Sequence, residues 1–145
     1  MSSHYHFGTL ISGQIKVYFD TSDDCANTAR DHVLQAVAIR TGIPARRVLG
    51  KSRRYSVVYA RKLTAAGLRA LGFTYGSIGM ALDRHHATIM HSITEIYGLA
   101  RFDELAAADL VWAIHAADEL AGTSARKESQ HDTADRPERR AADQL

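Results

Sequence analysis

The residues with the most chemistry to offer stand together at Arg84-His85-His86-Ala87-Thr88. A guanidinium, two imidazoles, a methyl and a hydroxyl fall within five positions. Arg pairs with guanine, His donates to guanine or packs on thymine, and Ala or the Thr methyl touches the thymine methyl. They follow Ser77-Ile78-Gly79-Met80-Ala81-Leu82-Asp83, which has the pattern of a short positioning helix and a tight turn. Ile78 and Leu82 stand i, i+4 and are expected to pack inward. Gly79 leaves room for a neighbouring helix. Asp83 is expected to cap the next helix by accepting from backbone N–H groups near His85 or His86. The whole predicts a helix-turn-helix whose second helix opens with base-reading side chains. His91, placed with Ile89 on the apolar side, is expected to be a buried structural residue.

Other chemistries fit these residues less well. His86 and His91 are five apart and His85 and His86 are adjacent, so neither pair shares a helix face. A metal pair on a helix needs i, i+4 spacing with a carboxylate or thiolate, so no metal is expected. No nucleophile or paired acid lies near the histidines, so no enzyme activity and no cofactor are expected. Ala45-Arg46-Arg47-Val48-Leu49-Gly50-Lys51-Ser52 fits the loosest form of a phosphate-binding loop. That loop needs a strand delivering a Gly-rich turn. Pro44 and a helical run precede Gly50 instead, so no nucleotide is expected.

A second chemical group is the run Lys51-Ser52-Arg53-Arg54-Tyr55-Ser56-Val57-Val58-Tyr59-Ala60-Arg61-Lys62. Its cations Lys51, Arg53, Arg54, Arg61 and Lys62, with Tyr55 among them, suit phosphate contacts, and a loop arginine can also enter a narrow minor groove. The charge distribution agrees. Residues 40–102 hold eleven Lys or Arg against two acids, a net of +9; the remainder holds seven against fourteen, a net of −7. A basic block between acidic flanks is the footprint of a surface that meets a polyanion.

These groups need elements to hold them. The 145 residues suffice for one domain with a core and a tail. An apolar fraction of 46% is that of a globular chain. Residues 1–24 are expected to form an N-terminal arm or small β-hairpin around Ser12-Gly13. Helices are expected over about 25–41, 45–49, 56–71, 75–82, 84–99 and 102–121. Ala26, Ala29, Val33, Leu34, Val37, Ala38 and Ile39 stripe the first at the helical period. Gly42 ends it, and Pro44 takes the first position of the second. Ile89, Ile93, Ile96 and Tyr97 line the buried side of the fifth. The sixth carries Leu105, Leu110, Trp112, Ala113, Ala116 and Leu120. From Gly122 the chain is polar and is expected to be disordered. The prediction is thus an all-α helix-turn-helix domain over 25–121, between an arm at 1–24 and a tail at 122–145. A single cysteine, Cys25, excludes an internal disulfide. With no membrane-length apolar run and no signal segment, a cytoplasmic, nucleoid-associated protein with no membrane partner is expected.

Residues 30–100 resemble the C-terminal DNA-binding domain of the bacterial replication initiator DnaA. Gly42-Ile43-Pro44 through Leu49 resembles its short helix before a basic loop. Lys51–Lys62 resembles that loop and the start of the long helix, with Ala60-Arg61-Lys62 where the family has Pro-Arg-Gln or Ala-Arg-Gln. Ser77-Ile78-Gly79 resembles its Pro-Glu-Ile-Gly. Arg84 to Ser92 resembles the signature Arg-Asp-His-Thr-Thr-Val-Leu-His-Ala. The resemblance implies sequence-specific binding of duplex DNA, with the signature helix in the major groove and a loop arginine in the minor groove. Arg84, His86, Thr88 and His91 carry over directly. His85 replaces an Asp, Ala87 a Thr, and Asp83 a Gly-Gly turn, while Tyr55 aligns with the loop arginine beside Arg54. The family's ATPase domain has no counterpart in the chain, so ATP-dependent assembly is not expected. The expectation is a DNA-binding regulator of transcription or replication initiation with a sequence preference of its own. The alternative is a protein-interaction or homodimerisation module, using the 102–121 helix with Trp112, Leu105 and Leu110 as anchors.

Overall fold

The computed structural model describes residues 5–9, 16–20 and 23–122. Six helices lie among them, and the domain they build is all-α. They are α1 (Asp23–Thr41), α2 (Ala45–Leu49), α3 (Tyr55–Ala70), α4 (Tyr75–Leu82), α5 (His86–Ala100) and α6 (104–122). The backbone of β1 (Tyr5–Thr9) pairs antiparallel with β2 (Lys16–Asp20), Tyr5 opposite Asp20 and Thr9 opposite Lys16. The turn expected at Ser12-Gly13 and the tail after 122 lie outside the described residues.

Each helix has a local cause. The α1 stripe Ala26, Ala29, Val33 and Val37 is buried. The helix ends where Gly42 turns left-handed at φ 75° and its N–H reaches the Ala38 carbonyl at 2.8 Å. A residue without Cβ adopts that conformation freely. Pro44 caps α2 in extended conformation, one residue ahead of the expected first helical position. Thr74 caps α4 by accepting the Ser77 N–H at 3.1 Å. Asp103 caps α6, its Oδ1 accepting from Leu105 and Ala106 at 2.9 and 3.1 Å.

The long helix α3 is the axle of the packing. Leu63, Thr64, Ala65, Ala66, Gly67 and Leu68 are buried in succession, so it meets neighbours all round. Phe73 in the α3–α4 connection is the largest fully buried side chain. The Arg69 guanidinium closes that connection, donating to the Phe73 carbonyl at 2.8 Å and lying 4.3 Å from the Tyr75 ring centre.

Helix α6 is strapped across α1 and α3. Trp112 Nε1 donates to the Ala36 carbonyl at 2.8 Å, and a His32 ring nitrogen lies 3.1 Å from the Ala116 carbonyl. Small residues let the helices approach. A Cβ on Gly67 would stand 2.7 Å from Val33 Cγ1 and 3.1 Å from the Ala113 carbonyl oxygen. Gly67→Ala is therefore expected to destabilise the domain by about 1–3 kcal/mol, although alanine is the better helix former. A denaturant titration with unchanged slope checks this.

Two expected core residues face solvent instead: Ile39 and Tyr97 are among the exposed large hydrophobics, as are Leu105 and Trp112 of α6. Ile39 is two residues from buried Val37, a step of about 200° around a helix, so it points away. Leu110, Ala113 and Ala116 of α6 are buried, while Leu105 lies off their stripe.

Candidate nucleic-acid interface

The turn between α4 and α5 is built from backbone hydrogen bonds. Asp83 adopts the left-handed conformation, φ 54° and ψ 53°. Its N–H reaches the Met80 carbonyl at 3.3 Å, and the Arg84 N–H reaches the Gly79 carbonyl at 2.7 Å. This pair of bonds is the Schellman closure of a helix C-terminus. Asp83 thus ends α4 and does not cap α5, as its position before the polar run suggested. The cap of α5 is His85, whose Nδ1 accepts the Ala87 N–H at 3.2 Å. A carboxylate fills that role well, so the family's Asp at this position matches a cap as well as a base contact. Asp83→Gly relieves the left-handed strain and is expected to raise the melting temperature by about 2–4 °C, after allowance for glycine's greater chain entropy. A thermal melt measures it.

Gly79 makes the turn possible. A Cβ there would lie 2.4 Å from the Arg84 carbonyl oxygen and 3.4 Å from the His86 nitrogen. Its smallness admits the turn and, as expected, the close approach of the neighbouring helix α5, whose first residue is His86. Ile78 and Leu82, on the same helix, are buried.

Helix α5 starts at His86, two residues later than expected. His85, His86, Ala87 and Thr88 are all exposed along its first turn. The two imidazoles pack on each other, centroids 4.2 Å apart and planes tilted by 36°. Arg84 is withdrawn from this row. It is half-buried in the turn, and its guanidinium donates to the carbonyls of Asp83 at 2.7 Å and Gly50 at 2.5 Å.

The basic run divides in the same way. Lys51, Arg53, Arg54 and Tyr55 are exposed, and the three cations form no ion pair among the described residues. Arg61, expected as a surface cation, turns back beneath the loop. Its Nε donates to the Val48 carbonyl at 2.9 Å, and its Nη2 to those of Gly50 and Ser52 at 2.9 and 3.3 Å. Burial, and then the nearby Arg84 charge, lowers its pKa from the ordinary arginine value. Lys62 is paired with Glu95 of α5. That hydrogen bond leads the causes holding the Glu95 carboxyl below its usual range. His91 corrects another expectation. It is exposed, not buried, and lies 2.7 Å from Glu95. Two residues from buried Ile89, it falls on the opposite face of α5.

One atom joins the two exposed groups. The Gly50 carbonyl accepts from both Arg61 and Arg84, so the basic loop and the turn before α5 are held to a common point. Arg30 adds a third support, its Nη1 donating to the Ala81 carbonyl at 2.8 Å near the end of α4. These braces were not legible in the sequence, where an arginine in a basic run looks like its neighbours. No group of three or more metal-ligating side chains occurs among the described residues, and no described helix is long and apolar enough to cross a membrane.

Comparison with known proteins agrees with this geometry. Residues 30–96 match the family described as the bacterial DnaA protein helix-turn-helix. The match takes in α2 to α4 whole and most of α1 and α5, and stops before α6. A search of curated proteins finds no match. With a positioning helix, a closed turn and an exposed second-helix start in the family's order, residues 30–96 of this chain are similar to the helix-turn-helix domain of the bacterial DnaA protein.

Proposed function

We propose that the chain binds duplex DNA sequence-specifically and acts as a regulator of transcription or replication initiation. His85, His86, Ala87 and Thr88 enter the major groove, and Lys51, Arg53 and Arg54 contact phosphates or the adjacent minor groove beside Tyr55. The observation that carries this reading is the Gly50 carbonyl, which holds the exposed loop and the exposed start of α5 in one arrangement. Base contacts specify and phosphate contacts position, and the two sets of side chains divide along that line. Arg61, Lys62 and Arg84 act as supports, which lowers the number of cations free for phosphate.

The reading is tested by selecting bound duplexes from a random pool and measuring affinity against salt. One enriched motif is expected, with a slope of log K against log salt of about −3 to −5. His86→Ala is expected to cost about 1–3 kcal/mol on the selected motif and little on random duplex. His85→Asp is expected to move the selected motif toward a cytosine at the contacted position. Binding without enrichment removes sequence specificity; no binding at low salt removes the reading.

A further inference from the structure

A further cluster of polar side chains lies under an open cavity that shares Tyr55 with the proposed DNA-facing loop. A groove of about 430 Å³ lies between α1, α3 and α6. This is within the size range of small-molecule sites. Its walls are apolar, from Ile43, Tyr55, Tyr59 and Leu105, and its polar groups include Arg40 and Asp109. Tyr55 and Leu105 are 75% and 66% exposed, so two large side chains present apolar surface to the groove with nothing covering them among the described residues. Tyr55 stacks on Tyr59 at 6.2 Å between centroids with planes 19° apart, giving a flat aromatic wall.

The polar groups are ordered in a way that leaves donors to spare. Asp109 is only 7% exposed. One carboxylate oxygen accepts from Arg40 Nε at 2.8 Å, the other from the Tyr59 hydroxyl at 2.5 Å. Asp109 is thus satisfied by these two partners. Arg40 is not: its guanidinium carbon lies 5.7 Å from the Trp112 ring centre, and neither Nη has a hydrogen-bond partner among the described residues. A guanidinium fixed on one edge by a buried carboxylate and set against an indole presents its other edge as a ready-made fork. That fork matches a second carboxylate.

We propose that this groove binds a small aryl carboxylate, the acid on Arg40 and the ring between Tyr55, Ile43 and Leu105. Charge selects the anion, because the open valences are donors. The stacked tyrosines select a flat body. The site joins residues of the matched segment to Leu105 and Asp109 of α6, which lies outside it.

The test is an amide and arginine-Nε NMR titration of the full chain, free of DNA, with phenylacetate. Its outcome does not depend on the DNA reading. Saturable shifts are expected at Ile43, Tyr55, Leu105 and Arg40 Nε, with a dissociation constant of about 1 mM or tighter. Phenylacetamide, of the same shape without the charge, is expected to bind at least about tenfold more weakly. Leu105→Glu, at an exposed position compatible with folding, is expected to weaken phenylacetate by about tenfold through repulsion. The absence of saturable shifts overturns the proposal, as does equal binding of the amide. Equal shifts from inorganic phosphate, marking a bare anion seat, overturn it too. Shifts that track protein concentration without ligand place a second copy in the groove and also overturn it.

Discussion

Gly79→Ala is expected to unfold at a lower temperature, by about 8–24 °C, and to weaken the proposed DNA binding more than any single change of a proposed base-reading side chain. The added Cβ would stand 2.4 Å from the Arg84 carbonyl oxygen, a backbone atom that cannot swing aside. Relief requires the Schellman closure at Asp83 and Arg84 to open or α5 to shift. Overpacking of this kind costs about 2–3 kcal/mol, and in a domain of this size each kcal/mol moves the melting point by about 4–8 °C. The second effect comes from geometry: the turn sets the angle at which His86, Ala87 and Thr88 are presented. Gly98→Ala is the matched control. It lies within α5 with nothing within 4 Å of the new methyl, so it is expected to stabilise by about 0.5–1 kcal/mol. If both variants melt alike, the close approach at Gly79 is not what shapes the turn.

Arg61→Ala is expected to lose about 2–3 kcal/mol of stability, because the cation donates to three carbonyls in a partly buried setting. Arg61→Lys is expected to lose nearly as much. An ammonium keeps the charge but cannot span Val48, Gly50 and Ser52 as a planar fork does. In DNA binding the two variants are expected to weaken together while the salt slope stays unchanged. Removal of one direct phosphate contact would instead reduce that slope by about 0.9. Full recovery of affinity by lysine, with the slope altered only in the alanine variant, would return Arg61 to the phosphate-contacting set.

The helix pattern was readable because it is local. Ala26, Ala29, Val33 and Val37 in α1, and Ile89, Ile93 and Ile96 in α5, repeat at the helical period and are all buried. The glycine at 42 lies where the backbone turns left-handed at the end of α1. The misplacements were of three kinds. Ile39, Tyr97 and His91 adjoin buried positions, and only the packing of neighbouring helices leaves each of them facing solvent. The roles of Asp83 and His85 were displaced by two positions, since either residue can cap and only the backbone decides which does. Contacts between residues far apart in sequence carried no local signal. Arg61 with Val48 and Gly50, Arg40 and Tyr59 with Asp109, and Gly67 against Val33 and Ala113 arise from helix crossings that periodicity does not encode. The candidate interface was thus legible in its exposed residues and illegible in its supports.

The shared acceptor at Gly50 has a consequence for how this surface opens. Unravelling the loop or the turn breaks an arginine bond to the same carbonyl, so the two segments are coupled into one unit of local unfolding. Amide hydrogen exchange at Gly50, bonded to the Arg47 carbonyl, should then share one opening free energy with that at Arg84, bonded to Gly79, and both should be released together in Arg61→Lys. A surface that frays as a single piece is also ordered as a single piece. The conformational entropy of aligning loop and helix is settled during folding, and association with a rigid partner draws on it no further.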